Sequence, residues 1–177
     1  METEISSLAS ILLQKNSLMI YGRPGTGKSL MMNKISIHLA RVGEKVLYMF
    51  NHPSAISNLS AETERIVLLS LDDSNLANSL ILAGSAMRRG FRLVVVDEIP
   101  IELLYSITGI RDVLLWISLL SNLARNFSKT LALISDEIPA NLKLVSNYVD
   151  SVIKLERSGD FLNLEWNSGT KLSLKLF

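Results

Sequence analysis

Apolar and polar positions follow two different periods along this chain. Residues 5–14, ISSLASILLQ, space their apolar side chains as a helix does. Residues 17–21, SLMIY, form a short apolar run closed by Gly22, which predicts a strand. Residues 28–43 carry Leu30, Ile35, Ile37 and Leu39 at helical spacing and close on Arg41 and Gly43, a helix with a C-terminal stop. Residues 45–50, KVLYMF, read as a strand broken by the HPS that follows. Residues 65–71, RIVLLSL, read as another, with Asp72 and Asp73 as turn or cap residues. A helix over 74–90, a strand over 92–97, a helix over 111–127 and a strand over 130–135 complete the alternation. The tail changes period. SVIKLER, FLNLEW and KLSLKL alternate every second residue around SGD and NSG, the pattern of an antiparallel meander.

Short strands with no polar face are buried on both sides, and their alternation with helices predicts an α/β fold: a mostly parallel sheet covered by helices. The meander is expected to extend one edge. Ligands of such sheets sit at the carboxyl ends of the strands, so the ends of SLMIY, KVLYMF, RLVVVD and TLALIS should share one rim.

Composition narrows the class. The length of 177 residues suits one domain, residues 1–177, with a sizeable core. The apolar share of 48% and charged share of 20% describe a globular chain. A net charge of +1 offers no global electrostatic argument for nucleic acid. The absence of cysteine removes disulfides and thiolate metal sites. Acids stand in METEISSLAS where a signal peptide needs basic residues, and Ser, Asn or Arg interrupts every long apolar run. The expectation is a cytoplasmic protein, not associated with a membrane.

The clearest motif is GRPGTGKS, residues 22–29. It matches G-x-x-x-x-G-K-[ST] in full, after a strand and before a helix. Gly22, Arg23, Pro24, Gly25, Thr26 and Gly27 make the loop, and Lys28, Ser29 and Leu30 start the helix. The glycines let the backbone curl so that its N–H groups face phosphate oxygens. The helix N-terminus adds partial positive charge. Lys28, on a solvent-facing loop, reaches the outer phosphates, and the Ser29 hydroxyl is placed for Mg²⁺.

Such a loop needs a carboxylate on a neighbouring strand to hold Mg²⁺. Asp97 ends the most apolar strand, in VVVDEIP, and fits that role. Glu98 follows directly. In one large group of phosphate-loop ATPases an acid at that place orients the attacking water. DEIP recurs at residues 136–139 after another apolar run.

From SLASILLQKNSLMIYGRPGTGKS onward the chain resembles the recombinase ATPase core, the RecA, RadA, RadB and KaiC group. The run from VVVDEIPIELLYS through LARNF to TLALISDEI resembles the archaeal recombinase stretch from the metal-binding strand to the next strand. VDSVIKLERSGDFLNLEWNSG resembles that group's D-x-x-x-x-L-x-R strand and hairpin, here Asp150, Leu155 and Arg157. The resemblance covers almost the whole chain and is best to a short archaeal RadA paralogue reduced to its ATPase core. It implies a RecA-like phosphate-loop NTPase fold, with ATP preferred over GTP.

The departures bear on chemistry. Where the group places a catalytic Glu after its second strand, this chain has Asn51 and His52. Asn51 holds a water but is no base at neutral pH; His52 could serve as one, although before a proline it reads rather as the cap of a turn. Glu98 stands where recombinases often have Ser, and Asp136 and Glu137 replace an Asn-Gln that senses the terminal phosphate. A carboxylate beside phosphate repels it unless Mg²⁺ or a basic residue lies between. Asp136 and Glu137 are thus an altered sensor, or they point away into an interface.

The resemblance implies an ATP-binding protein, a weak ATPase in which Lys28 and Glu98 act on the chemistry, accessory to homologous recombination beside a RadA-type filament or single-stranded DNA. The alternatives are a KaiC-like or motor-associated nucleotide switch and a non-hydrolysing interaction subunit. The segment 101–110, which corresponds to a DNA-facing recombinase loop, has no Lys or Arg. The basic cluster MRRGFR, residues 87–92, reads as a solvated helix cap.

Overall fold

The computed structural model describes residues 2–56, 59, 64–71, 76–98, 107–136 and 142–175. The first half runs α1 (Glu2–Leu12), β1 (Ser17–Tyr21), α2 (Lys28–Arg41), β2 (Val46–Phe50), a 3₁₀ turn at Pro53–Ile56, β3 (Ile66–Ser70) and α3 (Leu76–Arg88). The second half runs β4 (Leu93–Asp97), α4 (Ile107–Asn126), β5 (Thr130–Ser135), α5 (Leu142–Ser146), β6 (Ser151–Ser158), β7 (Phe161–Trp166) and β8 (Lys171–Lys175). The predicted strands all form. Helix α4 begins a turn before the expected position, and α5, five residues long, is too short to show a period. Asp72, Asp73, Glu137 and the segment 101–106 lie outside the described residues.

One sheet of eight strands has the order β3-β2-β4-β5-β1-β6-β7-β8. The first six are parallel; β7 and β8 join antiparallel. The tail forms the expected antiparallel meander and extends one edge of the sheet. Its first strand, β6, continues the parallel ladder beside β1, with Leu18 opposite Ser151 and Tyr21 opposite Lys154. The central parallel strands β1, β2, β4 and β5 are almost wholly apolar because helices cover both faces, while edge strand β3 is half-buried and β6 carries Lys154, Glu156 and Arg157 toward its end. Val94, Val95 and Val96 of β4 have no exposed surface.

Successive strand residues point to opposite faces, which divides the core in two. Leu18, Ile20, Val46, Tyr48 and Val95 meet α1 and α2 on one face, where Leu162, Leu164 and Trp166 of β7 also pack. Met19, Leu47, Met49, Val94 and Val96 meet α3, α4 and Val145 of α5 on the other. The period-two pattern of β7 is explained by this: Leu162, Leu164 and Trp166 are buried, while Phe161 and Glu165 are exposed and Asn163 is half-buried. All four strand ends expected on one rim lie there, in register from β2 through β4 and β5 to β1.

Candidate functional site

The loop after β1 is built around three glycines with two different needs. Gly25 (φ 78°) and Gly27 (φ 95°) adopt left-handed backbone that a side chain disfavours. Gly22 has ordinary backbone, but a Cβ there would lie 2.2 Å from the Leu155 carbonyl oxygen of β6. The loop thus rests directly on the neighbouring strand. The α2 ladder starts with Met31 N–H bonding to Gly27 O at 2.9 Å, so the preceding N–H groups belong to the unsatisfied first turn.

Lys28 is buried rather than solvent-facing, with 7% of its surface exposed. Its Nζ donates to Gly22 O (2.7 Å), Arg23 O (3.0 Å) and Asp136 Oδ1 (2.9 Å). An ammonium has three donors, and all are used. Two of them tie the loop to itself, and the third crosses to the end of β5.

Asp97 ends β4, which is not adjacent to β1 as the sequence suggested; β5 lies between them. The gap is closed from the helix side, because Ser29 Oγ donates to Asp97 Oδ1 at 3.0 Å. On its other oxygen Asp97 accepts from the Tyr48 hydroxyl at 2.5 Å. Burial pushes the Asp97 carboxyl above its usual value, against the lowering effect of both hydroxyls and of Lys28. Burial, then the Asp97 charge, also raises the Tyr48 phenol well above the ordinary range. Tyr48 was missed in the sequence. Its signal was a tyrosine inside an otherwise apolar strand, where a buried hydroxyl must find a partner.

Glu98 departs from ordinary backbone with φ 74°. Such left-handed geometry costs a non-glycine residue about 1–3 kcal/mol and needs surrounding support. Asn51 Nδ2 supplies it, donating to Glu98 O at 3.1 Å. His52 does two things. Its carbonyl accepts from Ala55 N–H (2.9 Å), the turn-capping role expected of it, while its Nε2 lies 3.5 Å from Glu98 Oε2. Of the two alternatives for Asp136, the structure selects the inward one: its carboxylate faces the loop through Lys28.

Pro24, Gly25, Gly27, Lys28, Ser29 and Leu30 line a cleft of about 490 Å³ on the carboxyl rim. Asp97, Glu98, His52 and Asp136 share it, with Arg157 from the end of β6. Gly22, Arg23 and Thr26 face a second groove between the loop and β6, where Lys154 and Glu156 stand. Asp150, from the same recombinase-like motif as Arg157, is away from the cleft. It accepts Ser17 N–H at 2.9 Å and pairs with Arg125 at 2.7 Å, so it fastens β6 to β1 and α4. The cleft can bind an anion against Lys28 and the helix start, and its acids face that anion from β4 and β5.

No protein-family model matches the chain, and no curated protein matches it in sequence. In three dimensions it is similar to the crystal structure of a KaiC-like protein from the hyperthermophilic archaeon Pyrococcus horikoshii OT3. The TM-score is 0.69 at 13% identity, over 92% of this chain and 87% of that one. No helix among the described residues is long and apolar enough to cross a membrane. The order of the sheet, the loop after β1 and this likeness together show the RecA-like, KaiC-like phosphate-loop fold.

Proposed function

We propose that the protein binds ATP with Mg²⁺ at the loop of residues 22–29 and turns it over slowly. One observation carries this reading: Lys28, Ser29 and Asp97 converge in the cleft where the loop and α2 begin. The donor set fits Mg²⁺. Among the described residues no cluster of three or more His, Asp or Glu side chains forms a cage. Mg²⁺ prefers one or two protein oxygens plus substrate phosphates and water, and Ser29 and Asp97 offer that pair. A buried carboxylate pushed toward protonation is one that a cation would favour in its charged form. When bound, the ion would neutralise phosphate charge. The chain's own part is then to grip the phosphates with Lys28 and to place Glu98 toward the attacking water.

Asp97→Asn tests the metal assignment by calorimetry with ATP in Mg²⁺ and in EDTA. The expected result is a loss in Mg²⁺ of about 10-fold or more, from one charge-assisted contact, with little change in EDTA. Equal losses in both would make Asp97 structural.

The cellular role rests on the sequence resemblance to RadA paralogues, which favours an accessory function in recombination. The three-dimensional likeness and the Lys28–Asp136 pair favour a second reading, a KaiC-like nucleotide switch. An incoming phosphate competes with Asp136 for the same ammonium, so the empty and occupied sites differ in a defined contact. Asp136→Asn removes the competing charge and is expected to tighten ATP binding several-fold. Unchanged or weaker binding would show that Asp136 does not oppose the nucleotide.

A further inference from the structure

The rim opposite the cleft carries a charge pattern that the nucleotide reading does not use. The residue just before each of four adjacent parallel strands is a cation: Arg65 before β3, Lys45 before β2, Arg92 before β4 and Lys129 before β5. Strand register places them side by side, since Val46 pairs with Ile66 and with Leu93, and Leu93 with Thr130. Extending the Ser17–Leu131 pairing back by two residues brings Lys15 beside Lys129. The backbone ladder continues through this level, with Val46 N–H on Arg65 O (2.9 Å), Arg92 N–H on Lys45 O (2.8 Å) and Thr130 N–H on Arg92 O (3.1 Å). At about 4.8 Å per strand the row is about 19 Å long.

Lys15, Lys45 and Arg65 are exposed, and Arg92 and Lys129 are half-buried. Among the described residues none of the five has a carboxylate partner. Arg65 donates to Gly43 O (2.7 Å), Arg92 to Ser128 O (3.2 Å) and Leu13 O (3.3 Å), and Lys45 lies 6.0 Å from the Phe91 ring centre. Arg88 and Arg89, at the end of α3, stand beside the row in the MRRGFR stretch. Glu44 and Glu64 are the acids at the same level. On the β6 side the row stops, because Asp150 is taken by Arg125.

Helix capping explains Arg41, Arg88 and Arg125, which lie in last turns where the macrodipole favours cations. It does not explain a row on strands. A strand start favours a polar residue, but Ser, Asn or Glu would serve as well, as Asn16 does before β1; here one sign recurs directly before four adjacent strands, with Lys15 one residue behind on the fifth. In a chain of net charge +1 this is a local concentration of one sign: the carboxyl rim mixes Asp97, Glu98 and Asp136 with Lys28 and Arg157, whereas the amino rim lines up five cations.

We propose that this amino-end rim is a nucleic-acid contact surface that holds a phosphate backbone without reading sequence. A row of like charges at the strand repeat along a twisted sheet edge suits an extended polyanion; a folded acidic protein would present its charges unevenly. Lysine and arginine contact phosphates and position the strand, and Asn16, which stands before β1 at the same level, spends its amide on the Lys129 carbonyl (3.1 Å) and not on base edges. The surface is separate from the nucleotide cleft, so the inference stands or falls independently of ATP binding.

The test is fluorescence anisotropy of a labelled mixed-sequence duplex and of the matching single strand, titrated with protein at several salt concentrations. Contact by all five cations predicts a slope of log K against log salt of about −4 to −5 for duplex, an affinity loss of about 10²- to 10³-fold between 50 and 200 mM. Lys15→Glu/Lys45→Glu/Lys129→Glu should reduce the slope to about −2 or less, while ATP binding stays as in the parent. Single reversals of Lys15 and Lys45, both exposed, guard against a misfolded triple variant; each should cost about one unit of slope. Lys171→Glu, on the far edge strand β8, should leave binding unchanged. No binding of either nucleic acid at 50 mM salt would overturn the proposal. So would parental affinity in the triple variant, or binding of polyglutamate in place of nucleic acid, which would mark the rim as a site for an acidic protein.

Discussion

Lys28→Ala is expected to lower ATP affinity by about 10²- to 10³-fold. The ammonium would make two or more charge-assisted contacts to phosphate, each worth about 1.5–3 kcal/mol, and about 1.4 kcal/mol is a factor of ten. The same substitution leaves Asp136 facing the phosphates without the cation that now neutralises it. It also has a cost that a solvent-facing lysine would not have. Lys28 closes the loop onto the Gly22 and Arg23 carbonyls, and both lose their donor. A modest fall in melting temperature should accompany the lost affinity, a few degrees for about 1 kcal/mol in a chain of this size. Calorimetry and thermal melts on one preparation read both effects. Unchanged ATP affinity in Lys28→Ala would remove the phosphate-loop reading. Loss of affinity with a fully unfolded variant is guarded against by Lys28→Arg, which keeps a cation beside Asp136 but not the compact point-charge geometry.

Glu98→Gln is expected to reduce the basal ATPase rate by about 10²- to 10⁴-fold, the usual worth of a general base, with ATP binding retained. A base must come within hydrogen-bond reach of the water that attacks the terminal phosphate. As the water oxygen bonds to phosphorus, its proton passes to the base and the bridging oxygen leaves with ADP. Asn51, at the place of the recombinase Glu, is occupied otherwise: its amide holds the Glu98 carbonyl. That contact supports the left-handed turn which turns Glu98 into the cleft beside His52. With Glu98 as the proposed base, Asn51 would act as its positioning residue, and Asn51→Ala should lower the rate in the same direction. If the parent is active and Glu98→Gln hydrolyses ATP at the parental rate, Glu98 has no part in the chemistry and His52→Ala becomes the decisive variant. If the parent shows no turnover with or without DNA, the nucleotide serves binding alone, and the non-hydrolysing interaction subunit is the reading that remains.

The two variants probe residues of unequal legibility. Lys28 was assigned from an eight-residue motif whose parts are neighbours in the chain. Glu98 was assigned only from its place after Asp97, and its backbone strain and its two partners, Asn51 and His52, arrive from another strand end. Asp136 was left between two orientations because nothing within its own segment distinguishes them. The distance that decides is to a lysine 108 positions away.

The sequence by itself determined the alternation of strands and helices, the burial of the central strands β1, β2, β4 and β5 and the motif of the loop, because each depends on spacing over a few residues. Period two or 3.6 reports which face is buried, and a glycine-rich turn between a strand and a helix reports itself. Only the tertiary structure decided the order of strands. That order put β5 between β1 and β4, made β6 parallel, and set Tyr48 under Asp97. It also aligned five cations that the sequence scatters over more than a hundred residues, so that the small cluster at residues 87–92 became part of a longer row. Pairing across a sheet joins segments of arbitrary separation, and no local period encodes which strand lies beside which.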